Sequence, residues 1–228
     1  MALLTLKDVS KIYKQGDIEV HALKGVNLDV AEGEFTTVFG PSGCGKTTML
    51  NLIGALDRPT SGHLLFNDKD IGTMSKNEQA LHRRRNIGFI FQSHNLIPVL
   101  TAFENVEFAL QIAGDGKGSN SDRVQNILEQ VGLGTMMHRR PNALSGGQMQ
   151  RIAVARALVK EPKLVLADEP TANLDSETSK EVLEIMVRMN RELKTTFVFS
   201  THDPMVMEYA KRVVEIRDGE IARDERKG

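Results

Sequence analysis

Residues 35–56 read FTTVFGPSGCGKTTMLNLIGAL, and the order of textures in this stretch decides the fold. A short apolar run ends at Phe39, a glycine-rich turn follows from Gly40 to Gly45, and apolar residues then recur at helical spacing. This is a strand, a loop and a helix in succession. Within it GPSGCGKT, Gly40 to Thr47, fits G-x-x-x-x-G-K-[ST], the pattern of a loop that cradles phosphates. Backbones at Gly40, Gly43 and Gly45 can aim several N–H groups at one point, and the helix start adds partial positive charge. Lys46 can reach terminal phosphates and Thr47 offers a hydroxyl to Mg²⁺. With Pro41, Ser42, Cys44 and Thr48 these residues make up the candidate nucleotide-binding run. The bland alternative is a plain glycine-rich connection, which the flanking strand and helix disfavour.

Upstream, LLTLKDV, IEVHAL and VNLDV alternate apolar and polar side chains and are broken by Gly16, Gly25 and Glu32-Gly33, the pattern of short antiparallel strands with tight turns. Downstream, DRPTSGHLLFND reads as a turn and a strand, Ser75 with Glu78 as a capping box opening SKNEQALHRRR, and NIGFIFQ as a strand ending at Gln92. Residues 93–160 are mostly helical in pattern, with Thr101 and Glu104 capping one helix and Ser121 or Asp122 starting another. The polar, glycine-rich AGDGKGSN, 113–120, reads as a surface loop within them. The core pattern resumes in KLVLAD, a buried strand, and in 176–193, an amphipathic helix carrying Val182, Ile185, Met186, Met189 and Leu193. TTFVFST is another buried strand, Asp203-Pro204 opens a helix, and Asp218-Gly219 turns a hairpin. Strands alternating with helices around the glycine loop imply a doubly wound α/β core with an antiparallel edge.

Composition narrows the class. A chain of 228 residues is long enough to fold around its own core without staples. One cysteine excludes an intramolecular disulfide, and the six histidines lack zinc-site spacing, so a reducing compartment is expected. The start MALLTLKDVSKIYK has no long apolar run of a signal peptide, and no apolar stretch is long enough to cross a bilayer, so any membrane role is expected to be peripheral. The net charge of -1 shows no basic field for nucleic acid; His82 to Arg85 and His138 to Arg140 are local clusters that read better as solvated faces or ion-pair partners.

Two further motifs carry chemistry. KLVLADEP, 163–170, puts Asp168 at the carboxyl end of a buried strand, where α/β sheets place ligand groups, with Glu169 just beyond. Asp168 would hold Mg²⁺ directly or through water, and Glu169 would take a proton from an attacking water. The plain alternative is two carboxylates ending a strand. LSGGQ, Leu144 to Gln148, then pairs Ser145 and Gln148 as a capping box, with Gly146 and Gly147 leaving backbone N–H groups accessible at a second helix start suited to anions.

With LSGGQ about 20 residues before the Asp-Glu strand, the whole chain resembles the ABC ATPase family. The resemblance implies a P-loop NTPase, RecA-like core in an α/β fold, with an N-terminal antiparallel β subdomain and an inserted α-helical subdomain. In this single cassette of residues 1–228, positions 1–92 and 161–228 would form the nucleotide-binding core and 93–160 the helical part. It implies an ATPase using ATP and Mg²⁺, dimerised head to tail, each ATP lying between one phosphate loop and the other subunit's LSGGQ. Tyr13 falls where the family stacks an aromatic on adenine; by itself it reads equally as edge packing. Gln92 matches the glutamine that senses Mg²⁺ and the attacking water, and otherwise reads as a loop residue. Asn173-Leu174-Asp175 matches the loop crossing the dimer interface, and Asp175 reads also as a helix N-terminal charge. His202 matches the histidine contacting the γ-phosphate, although a lone histidine is more often structural.

FGPSGCGKTTMLNLIGALDRPTSG and LVLADEPTANLDS resemble the lipoprotein-releasing, macrolide-exporting and cell-division ATPases, although that group usually has glycine at the position of Ala172. This implies a separate integral membrane subunit with a large extracytoplasmic domain, no nucleic-acid partner, and a place on the inner face of the cell inner membrane. Leu96, Ile97, Val99, Leu100 and Phe103 lie where the family docks a membrane subunit's cytoplasmic helix, and read equally as residues buried in the helical part. Two alternatives use the same residues: a regulatory switch gating a periplasmic or division protein, and a soluble ABC ATPase without a membrane partner. Cys44, the lone cysteine, reads as a loop filler or, beside a helix start and an ammonium, as a reactive thiol.

Overall fold

The computed structural model describes residues 2–16, 18–114 and 120–227. In chain order its elements are β1 (Ala2–Gln15), β2 (Ile18–Ala31), β3 (Phe35–Phe39), α1 (Lys46–Ile53), β4 (Ser61–Phe66), β5 (Lys69–Asp70), α2 (Lys76–Asn86), β6 (Ile87–Phe91), α3 (Ala102–Ala113), α4 (Asn120–Gln130), α5 (Gly146–Leu158), β7 (Leu164–Asp168), α6 (Ser176–Leu193), β8 (Thr196–Thr201), α7 (Pro204–Tyr209), β9 (Arg212–Arg217) and β10 (Glu220–Arg226), with short 3-10 turns at Gly134–Met136 and Pro141–Ala143. They divide between two compact units, Met1–Arg83 with Thr196–Gly228, and Arg84–Thr195.

The first unit holds two sheets. One is antiparallel, in the order β2-β1-β4-β5; the other runs β10-β9-β3-β8, with β3 parallel to both β8 and β9. Its centre is aromatic: Phe35 meets Phe197 and Phe199 at ring-centroid distances of 5.4 and 4.9 Å, and all three are essentially inaccessible. Burying such rings supplies both apolar area and a fixed packing geometry. The N-terminal strands differ from the sequence expectation. IEVHAL and VNLDV form one strand, β2, and Gly25 bends it without ending it. Gly25 has φ 57° and Asp8 φ 51°, at a point where the β1–β2 register shifts, so the glycine serves a bulge. The Gly25 N–H is taken by Ser10 Oγ at 2.8 Å, which keeps the irregular backbone hydrogen-bonded.

One buried cation ties this unit together. Arg212, 5% exposed, donates from Nε and Nη2 to both carboxylate oxygens of Asp224 and from Nη1 to Glu34 and the Asp29 carbonyl, so β9 is joined to β10 and to the ends of β2 and β3. The paired carboxylates raise its pKa against the opposing effect of burial.

In the second unit β6 and β7 pair in parallel, and α5 crosses β6 so closely that a Cβ on Gly88 would lie 2.5 Å from the Ala157 carbonyl oxygen. The capping boxes at Ser75–Glu78, Thr101–Glu104 and Ser145–Gln148 all form. In α6 the buried face is Val182, Leu183, Ile185, Met186 and Met189, while Leu193 at its last turn is only half-buried. α4 begins at Asn120, ahead of Ser121 and Asp122. The loop expected at 113–120 falls for the most part outside the described residues. The basic cluster His82 to Arg85 includes helix-end anchors: Arg83 bonds the Ala55 carbonyl at 2.6 Å, and Arg84 the Ala113 carbonyl at 3.1 Å. Among the described residues no helix is long and apolar enough to cross a membrane.

Candidate nucleotide-binding and hydrolytic site

The residues singled out from the sequence divide between the two units. In the first, β3 delivers Phe39 into the loop and α1 leaves it at Lys46. Gly40 and Gly45 are positions no other residue fills. A Cβ on Gly40 would sit 2.1 Å from the Ile216 carbonyl oxygen, and one on Gly45, with φ 112°, would sit 2.6 Å from that of Ala22. The loop is thus pressed against β9 and β2 with its backbone as the inner surface. Gly45 caps α1 without a side-chain hydrogen bond, and the first turn holds no acidic residue. Helix N–H groups left uncapped beside a partial positive charge suit an anion.

Lys46 is 8% exposed, and its ammonium donates to the Gly40 and Pro41 carbonyls at 2.7 and 3.0 Å. It is therefore held at the loop with one N–H beyond those two bonds. Ser42 and Gly43 are exposed, while Cys44 is buried, 5% exposed, with its carbonyl taken by the Gly219 N–H at 3.1 Å. That burial matches the loop-filler reading of the cysteine. Thr47 and Thr48 follow in the first turn of α1.

Tyr13 stands on β1 opposite Val20, 37% exposed. Its hydroxyl donates to Asp57 at 2.9 Å, and the Lys11 ammonium lies 4.8 Å from the ring centroid over one face. Lys11 also pairs with Asp57 at 2.7 Å. Partial burial raises the Tyr13 pKa, with Asp57 adding to it. At Asp57 burial acts upward, but hydrogen bonds from Lys11, the Arg58 N–H and Tyr13 outweigh it and bring the carboxyl down. Sequence reading missed Lys11 and Asp57; alternation along β1 puts Lys11 and Tyr13 on one face, the one signal available. His202 lies exposed just past β8, whose end is fixed by the Asp203 N–H donating to Thr201 Oγ1 at 2.9 Å.

The second unit carries the rest. Strand pairing sets Phe91 against Asp168, so Gln92 and Glu169 leave neighbouring strands at the same end. Asp168 and Glu169 are half-buried, and Gln92 is exposed. Glu169 has φ 48°, a conformation uncommon outside glycine. Asn173 Nδ2 donates to the Gln92 carbonyl at 3.1 Å, tying the loop after β7 to the loop after β6. The latter is held further by Arg156, which donates to the carbonyls of His94 and Asn95. Buried Asn105 pins the next stretch, accepting from the Ile97 N–H at 2.7 Å and donating to the carbonyls of Ile97, Leu100 and Thr101.

At LSGGQ the two glycines have a packing reason besides exposed N–H groups. A Cβ on Gly147 would lie 2.2 Å from Thr178 Cγ2, and one on Gly146 3.3 Å from Leu174 Cδ2. Asp175 caps α6, accepting from the Glu177 and Thr178 N–H groups at 3.1 and 2.9 Å and from Thr178 Oγ1 at 2.7 Å, and these bonds, the Thr178 N–H first, lower its pKa. The helix-cap role of Asp175 is therefore realised. Gln148 Oε1 accepts from the Ser145 N–H at 2.9 Å, so its carboxamide belongs to the cap. Sequence reading also missed Gln150, one turn into α5; a polar residue on the apolar face was its signal.

Comparison with known proteins agrees with this geometry. Residues 23–172 match the family described as ABC transporter. A macrolide export ATP-binding/permease protein, MacB, of Syntrophobacter fumaroxidans is 47% identical over 97% of this chain, which spans only 31% of that relative's length. The lipoprotein-releasing system ATP-binding protein LolD of Anaeromyxobacter dehalogenans is 46% identical over 96% of the chain and 92% of its own length. A solved ATP-binding cassette of Methanocaldococcus jannaschii superposes with a TM-score of 0.90 at 43% identity, covering 99% of both chains; it is a dimer in a post-hydrolysis state bound to ADP and Pi. From its phosphate loop, its LSGGQ helix and these relatives, the chain belongs to the ABC transporter family as one of its ATP-binding, ATP-hydrolysing cassettes.

Proposed function

We propose that the chain works as a head-to-tail homodimer that hydrolyses MgATP and drives a separate integral membrane subunit, from the inner face of the cell inner membrane. The observation that carries this reading is the likeness, at a TM-score of 0.90, to a cassette solved as a dimer with the hydrolysis products bound. The relative named as an ATP-binding/permease protein supports a membrane subunit; a large extracytoplasmic domain on that subunit is part of the proposal. Val99 is 71% exposed and Phe108 41% exposed on the second unit, which suits the region after Gln92 to dock such a subunit.

In this reading the uncapped start of α1 and the loop N–H groups bind the ATP phosphates, and Lys46 donates its remaining N–H to a terminal phosphate oxygen. Tyr13 offers the ring face not occupied by Lys11 to adenine. The family resemblance assigns Mg²⁺ to Thr47, Gln92 and Asp168, whose side chains each offer an oxygen of the kind Mg²⁺ takes. Bound Mg²⁺ would neutralise charge building on the phosphates. Glu169 accepts a proton from the attacking water, His202 contacts the γ-phosphate, and the Ser145 cap with the N–H groups of Gly146, Gly147 and Gln148 serves the partner's nucleotide.

The test is Glu169→Gln, which keeps size and hydrogen bonding and removes the base. Turnover should fall by about 10²-fold or more, and size exclusion with MgATP should show a locked dimer. A protein that neither loses turnover nor shifts its elution would refute both the base and the sandwich.

A further inference from the structure

Gln150 is fully buried, yet the described residues use only half of its amide. Nε2 donates to the Pro170 carbonyl at 2.6 Å, while Oε1 has no partner among the described residues. An apolar side chain of similar volume would fill the position and remove the stranded Oε1, a defect that costs about 1–3 kcal/mol, but it would take the donor away from the Pro170 carbonyl. Packing alone does not account for glutamine here.

The other end of the bond does. Pro170 follows Glu169, whose φ of 48° lies in the left-handed region. Side chains with a Cβ are disfavoured there, and a following proline restricts the residue further. Such a backbone persists only where its surroundings over-determine it. Three ties do so. Strand pairing runs up to Phe91 opposite Asp168, the Ala172 N–H donates to the Glu169 carbonyl at 3.3 Å, and the Gln150 amide grips the carbonyl on the far side. The last comes from α5, the helix that opens at the Ser145 cap.

We propose that Gln150 is a positioning residue for Glu169: by holding the Pro170 carbonyl it fixes the strained backbone that presents the carboxylate, and it joins the LSGGQ helix to that backbone by one buried hydrogen bond. This rests on Glu169 being the general base.

Two substitutions test it. Gln150→Met keeps the volume and removes the donor. Its kcat should fall by about 10- to 100-fold, as for a misplaced reacting group, with KM and monomer nucleotide binding unchanged and the folded fraction checked by thermal melt. Gln150→Glu can donate only when its buried carboxyl is protonated, and burial favours that form. The ratio of its kcat to that of the unsubstituted protein should therefore rise between about pH 9 and about pH 6, while the ratio for Gln150→Met stays flat. A Gln150→Met protein turning over within about twofold of the unsubstituted one would overturn the inference, as would losses that track unfolding with a flat Gln150→Glu ratio. Glu169→Gln in parallel separates the two readings. If it turns over normally, the base assignment fails and this inference with it; if it is inactive beside an unimpaired Gln150→Met, only this inference fails.

Discussion

Gly147→Ala adds a methyl group where the LSGGQ helix meets α6. The new Cβ would lie 2.2 Å from Thr178 Cγ2, whereas carbon atoms rest at about 3.5–4.0 Å, so something must move by more than an ångström. Thr178 can yield by rotating only by giving up its hydroxyl bond to Asp175 at 2.7 Å. Overpacking of this kind costs about 1–3 kcal/mol, set against a helix-propensity gain of at most about 1 kcal/mol for alanine over glycine. A net loss of about 1–2 kcal/mol follows, together with a displaced Ser145 cap and a fall in turnover of about tenfold or more. Thr178→Ser removes Cγ2 and keeps the hydroxyl; the next contacts, Cβ and Oγ1 at 3.6 and 3.9 Å, are ordinary. The double substitution should therefore recover stability and ATPase activity. Urea unfolding and turnover across the four proteins measure the coupling. If Gly147→Ala costs the same in both backgrounds to within about 0.5 kcal/mol, the limit for independent sites, the contact is not what requires glycine.

Other outcomes follow from single contacts. Arg212→Met takes the buried cation from Asp224, whose side chain is 36% exposed, and from Glu34, which among the described residues keeps only Arg226 at 4.0 Å, and should cost up to about 3 kcal/mol, read as a lowered urea midpoint. Buried Cys44 should label slowly with maleimide in the folded protein and rapidly in urea; fast labelling of the native protein would contradict its burial in the loop. Lys46→Ala should weaken nucleotide binding by the monomer, whereas Ser145→Arg should abolish ATPase activity with that binding intact, as fluorescent nucleotide titration would show. Burial, with Lys69 and Arg83 nearby, lowers the His82 pKa from 6.5 to about 4. The unfolded chain thus takes up that proton first, and stability falls as pH drops from 6.5 toward 4. Between about pH 7 and about pH 5 the loss is about 1 kcal/mol after discounting for partial exposure, and it should vanish in His82→Phe.

Local chemistry is what the sequence itself determined. A strand, glycine loop and helix at 35–56, three capping boxes, the Asp203 cap and the Asp218-Gly219 turn are interactions among near neighbours, and they formed as read. The glycine at 25 misled because a turn and a bulge call for the same positive φ, and only the partner strand distinguishes them. The supporting cast was out of reach for a related reason. Lys11 and Asp57 are 46 positions apart, Gln150 and Pro170 are 20 apart, and Arg156 reaches back 61 and 62 positions to Asn95 and His94. Each pairing is a hydrogen bond whose partners no periodicity relates, so it exists only once strands and helices have packed. Even the two glycines of LSGGQ, legible as a helix start, show their steric necessity only against Thr178 and Leu174, because a missing Cβ acquires its meaning from what would have touched it.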